Sequence, residues 1–249
     1  MLRKYTTYRT LGDNLRLGTL TAFAAGMVNV ASLMIFFSFT SNITGAYAIL
    51  ASEIAKGNLY QIGIVLGWIL LFFLGGFVSN LIVVHFNRRN AYLAHATPIM
   101  LEILAIVSIG VYGEFFYGET LRETEVLISV LLFAMGLQNG LTASISNFAV
   151  KTTHLTGTTT DLGIVAAMFT KEEHRRNPEI RDKAKLLVAI IAAYFTGALC
   201  GGYLAFLISF KVFFAVGAFL LVVPLYDLYR LHIAPLFKTA TGGLIEPEA

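Results

Sequence analysis

Charge is what this chain has least of. Only 13% of its residues are charged, about half of what a soluble domain carries, while 57% are hydrophobic and the mean hydropathy is +0.73. That scarcity excludes an ordinary soluble globular protein and, with no basic reading surface, a nucleic-acid partner. Cysteine is down to one, Cys200, inside an apolar run, so there is no disulfide framework, Cys-based metal site or redox pair. The five histidines, His85, His95, His154, His174 and His232, show no ligand spacing, so neither a metal nor a cofactor is expected. H-E-x-x-H, G-x-S-x-G, a cysteine nucleophile and carboxylates paired at catalytic spacing are all missing, which argues against an enzyme.

What is present is apolar length. Six stretches, near 17–39, 60–84, 96–113, 126–149, 186–208 and 212–231, each supply roughly the 20 residues of a transmembrane helix. The basic N-terminus MLRKYTTYRTLGDNLR precedes an apolar run too long for a signal-peptide core, so it reads as an uncleaved first span. With the N-terminus placed inside, only Lys56, Arg122 and Lys211 of the 18 Lys and Arg fall outside. The acidic loop GEFFYGETLRETE falls outside too, as the positive-inside rule permits. The sequence therefore reads as an all-α membrane protein of six transmembrane helices, one integral domain over 1–249 with a polar tail at 236–249 and both termini cytoplasmic. The lipid bilayer is the expected partner, and a homo-oligomer stays open.

Two polar strings interrupt this pattern. TSNITG at 40–45 and TTHLTG at 152–157 are nearly the same six letters, each directly after a long apolar run. Overlaying the halves extends the match. Gly26-Met27-Val28-Asn29 faces Gly136-Leu137-Gln138-Asn139, Thr44-Gly45 faces Thr156-Gly157, Gly75-Gly76 faces Gly201-Gly202, and Pro98 faces Pro224. Three spans per unit is an odd number, so units at about 15–113 and 126–235 must cross in opposite directions. Inverted repeats of this kind place solute sites near the midplane, at the repeat interface.

After each Thr-Gly comes a short segment, AYAILASEIAKG at 46–57 and TTTDLGIVAAMFTK at 158–171. A helix of about 13 residues is only about 20 Å long, too short for a hydrocarbon core of roughly 30 Å. Each segment is expected as a re-entrant or interfacial half-helix. The re-entrant form is preferred because Thr or Asn before Gly suits an N-cap. Two such N-termini aimed at a shared region suit an anionic or strongly dipolar solute.

The candidate solute-binding residues are Asn29, Asn42, Thr44, Gly45, Gln138, Asn139, His154, Thr156 and Gly157. Two acids are candidates for coupling or charge. Glu102 lies a turn after Pro98 in the third span, where burial demands a partner or a proton. Asp161 is expected in the first turn of the second half-helix. The leading expectation is a secondary transporter or permease for a small polar solute, anions included. A passive channel built on the same half-helices is the alternative, and a lipid-handling or intramembrane enzyme ranks below both.

The stretches GMVNVASLMIFFSFTSNITGAYAIL and FAMGLQNGLTASISNFAVKTTHLTGTTTDLG resemble the YoaK-like family of bacterial membrane proteins, a domain of unknown function. AMGLQN and TTHLTGT-x-TDLG are the most specific matches, and the resemblance spans about 15–235. It implies a small multi-span protein of the bacterial cytoplasmic (inner) membrane. The family commonly shows an acid where Asn29 stands and TGN where Thr44-Gly45-Ala46 stands. If that acid couples protons in relatives, the resemblance implies that coupling falls here to Glu102 and Asp161.

Overall fold

Caps rather than apolar windows set where the helices begin. The computed structural model describes residues 10–229. Arg3, Lys4, Arg9, Arg230, His232, Lys238 and the tail expected at 236–249 lie outside the described residues. In chain order come α1 (Leu11–Phe36), α2 (Ile43–Lys56), α3 (Leu59–Phe86), α4 (Ala91–Phe115), α5 (Leu121–Ile145), α6 (Leu155–Met168), α7 (Glu172–Arg176), α8 (Pro178–Ile208) and α9 (Val212–Leu228). A 3-10 turn, Ser209–Lys211, joins α8 to α9. No strand occurs among the described residues.

Helices α1 and α5 open on capping boxes, Thr10 with Asp13 and Thr120 with Glu123. Asn58, Asn90 and Asn177 accept from first-turn amides of α3, α4 and α8. These side chains satisfy amides that have no intrahelical acceptor. Four spans consequently begin upstream of the apolar stretches expected at 17–39, 96–113, 126–149 and 186–208. A hydropathy window discounts charged first turns, whereas a capped helix includes them.

Five stretches are long and apolar enough to cross a membrane: α1, α3, α4, α5 and Pro178–Leu228. The last contains α8, the 3-10 turn and α9, expected as separate spans at 186–208 and 212–231. The chain is thus a multi-span helical membrane protein. Helices α2 and α6 have 14 residues each, about 21 Å of rise, well short of the hydrocarbon thickness. At the far end of α2, Gly57 takes a left-handed φ of 70°. There Glu53 accepts from Lys56 (2.6 Å) and Asn58 (2.9 Å), and the Lys56 bond above all holds its carboxyl below the usual carboxylate range.

Helices α1 and α5 are central, with 61% of the most apolar window of each buried against 22% for α3. Leu17 and Val28 of α1, Ile106 of α4, Leu131 and Met135 of α5, and Phe213 and Val216 of α9 form the interior. The most extensive pairings are α1 on α8 and α3 on α5, and glycine makes them close. A Cβ at Gly26 would lie 2.1 Å from the Tyr194 carbonyl oxygen, and one at Gly197 would lie 2.0 Å from that of Phe23. In the other pair, a Cβ at Gly75 would lie 2.2 Å from the Phe133 oxygen and one at Gly136 2.2 Å from that of Phe72. Backbones in contact are how membrane helices associate when lipid is as apolar as their own side chains. Each pair joins a helix of one half of the chain to a helix of the other. Helices α4 and α9, each with an internal proline, also pack together, and the Tyr92 hydroxyl donates to the Pro224 carbonyl at 3.0 Å. The short helices pack back along the long ones that follow them, α2 on α3 and α6 on α8.

Candidate functional site

An asparagine inside each of α1 and α5 draws the following chain back alongside its own helix. Beyond Phe36 the backbone turns at Phe37 (φ 55°). The Thr40 N–H and hydroxyl then both donate to Asn29 Oδ1, at 3.1 and 3.3 Å, while Asn29 Nδ2 donates to the Ser41 hydroxyl. The second half repeats this. Asn147 and Phe148 turn at φ 51° and 62°, and the Thr152 and Thr153 hydroxyls donate to Asn139 Oδ1 at 3.3 and 2.9 Å. Asn29 stands seven residues before the end of α1 and Asn139 six before the end of α5, about 10 Å back along each axis. The starts of α2 and α6 are therefore held beside the bodies of these helices and not at their tips.

The cap of α2 is Asn42, whose Oδ1 accepts from Gly45 N–H at 3.0 Å, and the cap of α6 is His154, which makes no such side-chain bond. Thr44 and Thr156, the caps implied by the Thr-Gly pattern, lie two residues further in, within the first turn. The motif glycines account for this. A Cβ on Gly45 would fall 2.7 Å from Asn42 Nδ2, and one on Gly157 2.3 Å from His154 Nε2, so only glycine lets the cap side chain lie against the first turn. The first intrahelical bonds run from Ala46 N–H to the Asn42 carbonyl and from Thr158 N–H to that of His154. Amides ahead of these have no intrahelical acceptor, and in α6 no cap side chain substitutes for one.

Both N-termini open on one cavity of about 520 Å³. Of the candidate binding residues, Asn29, Asn42, Thr44, Asn139, His154 and Thr156 line it, joined by Ser41 and Thr153. Phe72 of α3 and Tyr194 of α8 supply walls, and Lys151 reaches it from the segment before α6. The Tyr194 hydroxyl accepts from Asn29 Nδ2 at 2.8 Å, tying the anchor of the first half to a helix of the second. No Asp or Glu lines the cavity, and among the described residues Lys151 pairs with no carboxylate. Two helix N-termini, each partially positive, and the Lys151 ammonium make the space electropositive and rich in donors.

The remaining candidates lie outside it. Gly45 and Gly157 shape the cavity through the caps they support. Gln138 is buried behind it and donates to the Thr21 carbonyl and the Thr152 hydroxyl, both at 3.0 Å, bracing the second motif. Glu102 sits in α4 with no exposed surface, and neither carboxylate oxygen has a hydrogen-bond partner. Asp161 falls in the second turn of α6, not the first, because that helix begins at Leu155. It pairs with Lys183 of α8 at 3.3 Å, both side chains about half exposed.

A sequence reading passes over several residues of the cavity, Tyr194, Phe72 and Lys151 among them. Tyr194, in AIIAAYFTGALC, is one of two tyrosines in its span, and nothing local sets it apart from Tyr203. Phe72, in LLFFLGGF, is indistinguishable from its neighbours. Lys151 reads as one more cytoplasmic cation.

The family model described as Protein of unknown function (DUF1275) matches residues 17–226, a span that includes both hexapeptides and agrees with the YoaK-like resemblance. No curated protein and no solved structure matches the chain.

Proposed function

The chain belongs to the DUF1275 family, and we propose that it is a secondary transporter or permease for a small polar solute, an anion above all, bound in the cavity on which the N-termini of α2 and α6 open. One observation carries this reading: Thr44 and Thr156, from short helices in opposite halves of the chain, line the same cavity. A polar hollow of this kind inside an otherwise apolar bundle is costly to build unless something polar passes through it.

In this reading α8 and α9 are separate crossings, so the chain crosses six times, and residues 15–113 and 126–235 are inverted repeats. Three features support the repeat. Asn29 and Asn139 anchor equivalent positions of the two hexapeptides. Gly26 and Gly136 each meet the glycine-bearing helix of the other half. The proline-bearing helices α4 and α9 face one another. A hexapeptide tied to an asparagine about 10 Å inside its helix favours re-entrant half-helices over segments lying on the membrane surface. Lys171, Arg175 and Arg176 would then sit on the cytoplasmic side, with Glu114 and Glu119 outside. The bacterial cytoplasmic membrane is the location the family resemblance favours.

The preference for an anion follows from the lining. A partly dehydrated anion gains from two helix N-termini, the Lys151 ammonium and the threonine and asparagine donors, and meets no acid. Uptake into proteoliposomes of a panel running from nitrate and phosphate to succinate tests the proposal. At least one anion is expected to enter saturably, slowed about tenfold or more by Thr156→Ala or Lys151→Gln, the size of one lost charge-assisted hydrogen bond. Flux that never saturates would assign the cavity to a passive channel. Uptake equal in wild type and both variants would remove the cavity from the mechanism.

A further inference from the structure

One ionisable group deep in the bundle has no part in the cavity. Glu102 has no exposed surface, and neither of its carboxylate oxygens is hydrogen-bonded. A carboxylate there would have neither water nor a cation to compensate its charge. Pro98, one turn earlier, offers no N–H to the Ala94 carbonyl, yet Glu102 does not reach back to that oxygen either. The group is held by packing alone.

Its titratable neighbours sit toward the helix ends. On α4 itself these are Tyr92 and His95 on one side and Tyr112 and Glu114 on the other. From the packed elements come Asp227 and Tyr226 of α9, Tyr60 and His85 of α3, Arg122, Glu123 and Glu125 of α5, and Lys211 of the 3-10 turn. Lys211 pairs with Glu114 at 3.1 Å, and Tyr60 donates to Glu125. None is hydrogen-bonded to Glu102. His95 lies seven residues before Glu102, which places it on the same helix face about 10 Å away. It too is fully buried, and Asp227 is 3% exposed. Asp227, His95 and Glu102 thus lead from one end of the α4–α9 contact into the bundle.

We propose that Glu102 holds a proton in this conformation and gives it up through His95 only when α4 and α9 part enough to admit water, so that solute passage is coupled to protons. The carboxylic acid O–H breaks as its proton passes to an admitted water molecule, and along that water a proton reaches a ring nitrogen of His95. Carboxylate and imidazolium form together, and the interior stays neutral until the imidazolium passes the proton to water at the α4 N-terminal end. The coupling rests on the transport reading, whereas the protonated acid does not.

Infrared difference spectra of the full-length protein in liposomes test the acid directly. At neutral pH the wild type is expected to show the carbonyl-stretching band of a carboxylic acid free of hydrogen bonds. The band should vanish in Glu102→Gln and persist in Thr156→Ala. Its absence from wild type, or its persistence in Glu102→Gln, overturns the proposal. An imposed pH gradient then tests coupling with the anion panel. Wild type should accumulate the transported anion several-fold, while Glu102→Gln should let it equilibrate without accumulation. Undiminished accumulation in Glu102→Gln overturns coupling. Cavity-dependent uptake without the band defeats this inference alone, and the band without cavity-dependent uptake defeats the transport reading and the coupling while the protonated acid stands.

Discussion

Asn29 and Thr156 touch the same cavity and do different physical work. Asn29 is 2% exposed and spends its amide on Thr40, Ser41 and Tyr194. Asn29→Ala strands the buried Thr40 N–H, an omission that costs about 1–3 kcal/mol, so the thermal midpoint in detergent should fall markedly. The Thr156 side chain is exposed to the cavity. Thr156→Ala should leave stability within about 0.5 kcal/mol of wild type while weakening anion binding. Isothermal titration with the transported anion, paired with thermal unfolding, separates the two roles, and equal thermal losses in both variants would contradict the assignment. The anchors were legible in the sequence because a polar side chain in an apolar run has to be satisfied by something. Tyr194 and Phe72 were not, because they reach the cavity through packing between helices from opposite halves of the chain, which no local pattern records.

Among the elements, the helix pairs α1–α8 and α3–α5 depend on glycine where backbones touch. Gly26→Val would push a side chain into the Tyr194 carbonyl, 2.1 Å from the added Cβ, and force the helices apart at a cost of at least about 1–3 kcal/mol. Gly67 of α3 faces open space, with nothing within 4 Å. Gly67→Ala should therefore be neutral or stabilise by about 0.5–1 kcal/mol through helix propensity. Detergent melting curves for the two variants should move in opposite directions or in one direction only for Gly26→Val. A similar large loss in both would mean that the close approach is not what holds these pairs. That the chain is built from several long apolar helices was readable from apolar length. Where they begin was not, because Thr10, Asn90, Thr120 and Asn177 carry the boundaries in side-chain hydrogen bonds. The expected starts of the short helices erred likewise, since Asn42 and His154, not the threonines, cap them.

At the scale of the whole molecule the arrangement makes a prediction about sidedness. In a background with Cys200→Ser, single cysteines at Asn58 and Glu119 should label from outside intact cells. Cysteines at Arg89 and Glu173 should label only after permeabilisation. A reversal confined to one member of either pair would break the six-crossing arrangement. The likeness of the two hexapeptides was legible because both are polar strings after apolar runs, whereas the electropositive character of the cavity arises only once α2, α6 and Lys151 are assembled around it. The exchange of partners between halves has a further effect, on how the protein is made. Asn29 waits for Tyr194, which lies 165 residues later in the chain, and at about 5–20 residues per second that delay is on the order of 10–30 s. Throughout it, the nascent first half sits in the bilayer with its glycine stripe bare and the Asn29–Tyr194 bond unmade. Biogenesis must shelter that face, and truncations that release the first half alone should be degraded in the cell before they assemble.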